Sequence, residues 1–146
     1  MIRQVTENDY EVYRDMALEF YHSDAVLHPI PESYIAATFD QVTHSSPYAE
    51  AYLFVENEQP VGYALLAKTF SQEAGGIVIW IEELYVRQAY RNLGYGSSFF
   101  AFLEERMKKE ATRLRLEVED ENEKAIALYE KQGFKRLAYS QMYKGR

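Results

Sequence analysis

Between Ile77 and Val118 the chain runs strand, helix, strand, and that succession limits its possible folds more than any other feature. IVIWIEELYV is a near-continuous apolar and β-branched run, broken by Glu82 and Glu83. Phe99, Phe102, Leu103 and Met107 then recur at helical spacing, predicting a helix over roughly 94–110. RLRLEVE follows, with Leu114, Leu116 and Val118 alternating with Arg115 and Glu117, as in a half-buried strand. A strand, helix and strand in this order form a crossover, so the two strands are expected to be parallel neighbours. The turn that opens the helix reads R-x-x-G-x-G, with Arg91, Gly94 and Gly96. A helix start offers unpaired N–H groups and a partial positive charge, which suit an anion. Glycines at alternate positions let a bulky phosphate approach the main chain without meeting a Cβ.

The N-terminal part reads differently. Ile2 to Val5 is a short β-prone run, and Thr6 precedes Glu7, Asn8 and Asp9, a cap-like cluster. Val12, Met16, Leu18, Phe20 and Tyr21 predict an amphipathic helix from about 7 to 21. HSDAVLHPIP is a loop, and Pro31 is placed to open a second helix running through about Val42. From Ala51 the period changes to that of strands: AYLFVE and PVGYALLAKTF, joined by NEQ, precede the Gly75-Gly76 turn. With the run to Val86 they predict three consecutive strands in an antiparallel meander. A last helix spans Asn122 to Gln132 and ends at Gly133, which fits a left-handed cap; Phe134 to Tyr143 is expected to add one or two closing strands.

The sum is one α+β domain over residues 1–146, long enough to bury roughly two-thirds of its unfolded surface. A net charge of −7 argues against non-specific nucleic-acid binding and permits a cationic partner such as an amine. No apolar run approaches the roughly 20 residues of a membrane helix, and the N-terminus lacks a signal-peptide core. The absence of cysteine removes disulfides, thiolate metal sites and a cysteine nucleophile, and a cytoplasmic location is the expectation. The 13 tyrosines, apolar in body and polar at the tip, suit a half-wet cleft as well as a core. His22, Asp24 and His28 could be read as a metal cluster, but a polar loop with turn residues explains them better, and no metal is expected.

Three phosphate-binding modes compete for the glycine turn. A P-loop needs G-x-x-x-x-G-K-[ST], and that string is absent. A dinucleotide fingerprint would put its third glycine at Phe99, and it expects a crossover after the first strand rather than after a meander. Coenzyme A remains. VRQAYRNLGYGS, then LRLEVEDEN, then KAIALYEKQGF resembles the GNAT superfamily of N-acetyltransferases in order and spacing, over roughly residues 60–136. The resemblance implies an acyl-CoA N-acyltransferase fold: a mixed central sheet, helices on both faces, and a splay between two parallel strands. Those strands would be the ones ending at Val86 and at Glu119.

It also implies an acetyl-CoA-dependent transferase and assigns roles. Backbone N–H groups of Arg91, Asn92, Leu93, Gly94, Tyr95, Gly96 and Ser97 would hold the pyrophosphate, with charge from Arg91 and Arg87. Backbone of Leu84, Tyr85 and Val86 would meet the thioester carbonyl and pantetheine amides, an N–H there stabilising the developing oxyanion. Asn122 would bond the pantetheine arm or cap the last helix, and Tyr129 would protonate the departing thiolate.

The acceptor amine must lose a proton near neutral pH, and a carboxylate of raised pKa can take it, often through water. Strict alternation sends Glu82 and Glu83 to opposite faces, so only one can face a given cleft. IWIEELYV is similar to the matching stretch of the diamine (spermidine/spermine) acetyltransferases, where the first of two adjacent acids is the proposed base; that position is Glu82. A small polyamine-like acceptor is the expectation, with a peptide or protein amine, or a non-catalytic acyl-CoA sensor, as competitors. The family often dimerises through its C-terminal strands, so a homodimer is a further expectation.

Overall fold

The computed structural model describes residues 1–146. The elements run β1 (Ile2–Gln4), α1 (Tyr10–Tyr21), α2 (Glu32–Thr43), β2 (Ala49–Glu56), β3 (Gln59–Ser71), β4 (Gly76–Val86), α3 (Tyr95–Glu110), β5 (Arg113–Leu116) and α4 (Glu123–Lys131). Short 3-10 turns at Glu7–Asp9 and Gln88–Tyr90 introduce α1 and the glycine loop. The five strands form one sheet in chain order. Pairing is antiparallel from β1 to β4, and the crossover through α3 makes β4 and β5 parallel.

Local chemistry sets the joints. Asn57 and Glu58 both take positive φ (48° and 65°), so the β2–β3 hairpin closes in two residues. The Asp9 carboxylate accepts from the Thr6 N–H and hydroxyl, fixing the chain as it enters α1. The helix begins at Tyr10 after the 3-10 turn, later than the expected residue 7. Pro31 stands just before α2, in the cap position with extended backbone, rather than inside it.

Two cores result, one on each face. Tyr13, Met16 and Phe20 of α1 and Ile35 and Phe39 of α2 pack on Leu53, Val55 and Tyr63. On the other face Phe99, Phe100 and Leu103 of α3 pack on Phe54, Val61, Leu66 and Ile79. Each such side chain, once fully buried, stabilises the fold by roughly 1.5–3 kcal/mol. No helix is long and apolar enough to cross a membrane.

The sheet departs from regular pairing at one decisive place. Leu65 lies opposite Glu83 and Leu66 opposite Ile81, which leaves Glu82 as an extra residue, a β-bulge in β4. A bulge bends its strand. The parallel ladder to β5 stops at the same level, Ile81↔Leu116 being its last pair. β4 and β5 therefore part there, and the second strand of the splay ends at Leu116 instead of Glu119.

The closing strands expected between Phe134 and Tyr143 do not form. The segment after Phe134 touches the rest through side chains instead: Arg136 pairs with Asp120 at 2.8 Å and Gln141 donates to Glu117 at 2.9 Å. Alternation alone makes no strand without a backbone ladder to join, and Met142 and Tyr143 stand 96% and 97% exposed.

Candidate active site

Above the bulge, β4 is joined to a strand on one edge only. Glu83, Leu84, Tyr85 and Val86 pair with Leu65, Ala64, Tyr63 and Gly62 of β3, while the edge that faced β5 below has no strand partner. The Leu84 and Val86 side chains pack into the α3 core, so their backbone is what this edge presents. The Tyr85 ring lies on the opposite face, and its hydroxyl donates to Glu19 at 2.9 Å. Gly62 sits directly beneath: a Cβ there would fall on the Tyr85 carbonyl oxygen and within 2.8 Å of Phe54. Only glycine lets β3 lie this close to the end of β4.

The glycine turn follows. Asn92 and Gly94 adopt left-handed φ of 63° and 92°, and Gly94 is the N-cap of α3. The first helical bond runs from the Ser98 N–H to the Gly94 carbonyl at 2.9 Å, and the backbone N–H groups of residues 92–97 have no partner within the protein. A Cβ on Gly96 would meet no atom within 4 Å, although Gly96 lies inside the helix at ordinary φ. Glycine in a helix costs up to about 1 kcal/mol relative to alanine, and nothing in the protein's own packing requires it there. The open space beside it leaves room for an outside group to approach the main chain. A row of free N–H groups at a helix start, with a Cβ-free wall, fits a pyrophosphate.

The flanking arginines are engaged elsewhere. Arg91 Nε donates to the Val86 carbonyl at 2.9 Å and its guanidinium lies 5.7 Å from the Tyr85 ring. Arg87 pairs with Glu19 at 3.2 Å. Tyr95 stacks on Phe54 with 6.3 Å between ring centroids, so its N–H is what it offers the turn.

The two acids do not obey simple alternation. The bulge takes Glu82 out of the ladder, while Glu83 bonds Tyr21 of α1, whose ionisation is suppressed by burial, by that bond and by the charges of Glu83 and Glu82. This extra residue interrupts the strict alternation on which the expectation of opposite faces rests. Tyr21 donates to Glu83 Oε2 through a short hydrogen bond, and Tyr63 donates to Oε1 at 2.7 Å. Burial pushes the Glu83 carboxyl up, and the two phenol bonds pull it partly back. Burial also raises Glu82, with further upward pressure from Glu117 and Glu83. Neither acid is near an arginine or lysine that lowers it.

On the far side of the splay, Asn122 caps α4, its side-chain oxygen accepting from the Ala125 N–H at 3.2 Å. The cap half of its expected role is therefore the one visible. Tyr129 lies against Phe100 and Phe134, with centroids 6.0 and 6.1 Å away, and burial raises its phenol, keeping it protonated. It borders a cleft of about 1220 Å³ with Leu116, Val118 and Ile126. Gly133, at φ 92°, closes α4 with the Gly133 N–H on Glu130 and the Phe134 N–H on Tyr129. His22, Asp24 and His28 form no group arranged to hold a metal ion.

Tyr21 and Tyr63 are the residues the sequence did not single out. The available signal was Glu83 itself: a carboxylate inside an apolar strand needs buried donors, and tyrosines on the flanking elements are the obvious supply.

A mixed sheet splayed beside a helix start with free N–H groups defines the acyl-CoA transferase class. The match of residues 10–134 to the acetyltransferase (GNAT) family places the chain in that family. Among curated proteins no relative matches. Solved structures share the fold across the whole chain. A possible acetyltransferase from Clostridium difficile 630 is 19% identical, with TM-score 0.85 and coverage of 100% of this chain and 96% of its own. AAC(6')-Iy in complex with the bisubstrate analogue CoA-S-monomethyl-acetylneamine is 14% identical, with TM-score 0.82 and coverage of 100% and 97%. A transcriptional regulator from Bacillus halodurans C-125 is 27% identical, with TM-score 0.77 and coverage of 100% and 98%.

Proposed function

We propose that this GNAT-type N-acetyltransferase moves the acetyl group of acetyl-CoA directly onto a primary amine of a small, cationic acceptor. The observation that carries it is the adjacency of two backbone surfaces, the unpaired N–H row of residues 92–97 and the edge of β4 above Glu82 that no strand joins. The first suits a pyrophosphate and the second an extended amide-bearing arm. AAC(6')-Iy, solved with a bisubstrate analogue of CoA, shares this fold and supports the pairing.

In this reading the amine attacks the thioester carbon; a C–N bond forms and the C–S bond breaks. Backbone N–H near Leu84 stabilises the carbonyl oxygen as charge develops, an effect often worth a few kcal/mol. Tyr129, held protonated by burial, gives its proton to the leaving sulfur. A carboxylate of the bulged pair takes the amine's proton, Glu82 being the one the resemblance selects. The chain has no cysteine, so transfer through a cysteinyl intermediate is not available to it. Two carboxylates without a cationic partner favour a positively charged acceptor, which a polyamine-like amine would satisfy. Residues 1–146 act as a single domain, in the cytoplasm, and a homodimer is carried over from the family resemblance.

The test is calorimetry with acetyl-CoA, followed by CoA release across small polyamines, amino acids, aminoglycosides and peptides. Saturable binding with turnover on small polyamines is expected. No binding at millimolar acetyl-CoA would sink the assignment, and turnover on peptides alone would replace the acceptor class.

A further inference from the structure

Tyr21 is anchored at one end and open at the other. Its ring packs edge-on against Phe20, with centroids 5.2 Å apart, and its hydroxyl donates to Glu83 Oε2. A phenol that donates its one proton still has lone pairs with which to accept. Tyr21 is partly exposed, at the C-terminal end of α1, and it feels Glu82 as well as Glu83. Glu83 in turn is fixed from behind by Tyr63, which is fully buried and cannot itself meet a substrate. The order is solvent-side phenol, carboxylate, buried phenol.

We infer that Tyr21 receives the acceptor amine's proton and passes its own to Glu83, so that Glu83 acts as the base through Tyr21 while Glu82 attracts the ammonium. This rests on amine acetylation being the activity and reassigns only the proton. The ammonium held by Glu82 first loses one proton to solvent; as the neutral amine nitrogen then bonds to the thioester carbon, a second N–H bond breaks and an O–H bond forms on Tyr21. The original Tyr21 O–H bond breaks and a new one forms on Glu83 Oε2. Glu83 ends neutral and Tyr21 ends as it began, never passing through a free phenolate. Burial and both glutamates keep Tyr21 protonated, which such a relay requires.

The charged and titratable groups around the relay come from every neighbouring element. They are Tyr13 and Glu19 of α1, Tyr63 of β3, Glu82, Tyr85 and Arg87 at the end of β4, and Glu117 beyond β5. Only Tyr21 and Tyr63 touch the Glu83 carboxylate. Their hydrogen bonds lower Glu83 toward the ordinary carboxylate range, so removing one raises it.

The experiment compares three variants with the wild type in kcat, KM and pH–rate profile, with acetyl-CoA binding and thermal melting as controls. Tyr21→Phe keeps the ring and is expected to lower kcat by about a hundredfold or more, in the range typical of lost acid–base groups, with acetyl-CoA affinity unchanged. Tyr63→Phe is expected to move the ascending limb of kcat/KM to higher pH, because Glu83 then ionises later. Glu82→Gln is expected to raise KM for the amine far more than it lowers kcat. If Tyr21→Phe keeps the wild-type kcat and profile, or if Glu82→Gln abolishes kcat while Tyr21→Phe does not, the relay is wrong and amine acetylation stands. Should Tyr21→Phe melt below the assay temperature, the Tyr63→Phe limb decides: an unmoved limb overturns the proposal. A wild type that turns over no amine overturns the parent reading instead, and that failure shows before any variant is made.

Discussion

Phe134 is tied to Tyr129 twice: its backbone N–H donates to the Tyr129 carbonyl at 3.0 Å, and the two rings meet with centroids 6.1 Å apart. Gly133, which lies between them just past the end of α4, makes this closure possible by turning at φ 92°. A Cβ in the left-handed region costs roughly 1–2 kcal/mol. Gly133→Ala should therefore destabilise the protein by about that amount in urea titration. It should also lower kcat more than acetyl-CoA affinity, since Tyr129 loses its fixed position. A variant equally stable and equally active would separate the helix cap from Tyr129.

Glu83 carries the opposite relation between stability and function. Burial raises its folded pKa above that of an unfolded glutamate, near 4.3. Folding therefore favours its protonated form, and the stability this provides is present below the unfolded pKa. It is lost as pH rises through the folded pKa. Glu83→Gln removes the charge that must ionise, so it should melt higher than the wild type at pH 8. The advantage should fade toward pH 4, where the wild-type carboxyl is protonated too. The same variant should be nearly inactive. A melting difference independent of pH would show that Glu83 does not titrate over that range.

The sequence shows the crossover, the meander and the α3 and α4 faces because each rests on local periodicity or on a nearby turn residue. The bulge at Glu82 does not show. Extra residues in a strand are defined by the partner's register, here Leu65 and Leu66, and nothing local to IWIEELYV marks them. For the same reason the meeting of Tyr21, Tyr63 and Glu83 is invisible locally: they are brought together from α1, β3 and β4. The tail failed in the other direction. FKRLAYSQMY has strand-like alternation, but β5 is short and its outer edge is not extended by it. Pattern supplied the propensity and long-range pairing withheld the strand.

Asp9 gives a second pH dependence of reversed sign. Arg3 holds its carboxylate through two hydrogen bonds of 2.8 and 2.9 Å, and Thr6 adds two more. Together they lower its pKa to about 2. A folded pKa below the unfolded value adds stability above about pH 4 that disappears as pH falls toward 2. Its partner Arg3 is partly exposed, so the contribution is taken as about 1–2 kcal/mol after solvent screening. Asp9→Asn should lose that much at pH 7 and match the wild type near pH 2. A gap that persists at low pH would assign the loss to packing rather than charge.

Gly96 offers the sharpest separation of fold from function. Its Cβ position is open, its φ is ordinary, and it lies in the first turn of α3. On conformational grounds alanine should be tolerated or stabilise the protein by up to about 1 kcal/mol. If the pyrophosphate lies against this turn, that added methyl occupies the space the phosphate needs. Gly96→Ala is therefore expected to melt no lower than the wild type while binding acetyl-CoA about tenfold more weakly, roughly 1.4 kcal/mol. Calorimetry and thermal melting on the same sample check both halves. Undiminished affinity would move the phosphate away from residues 94–97, and a lower melting temperature would mean that α3 needs this glycine for its own sake.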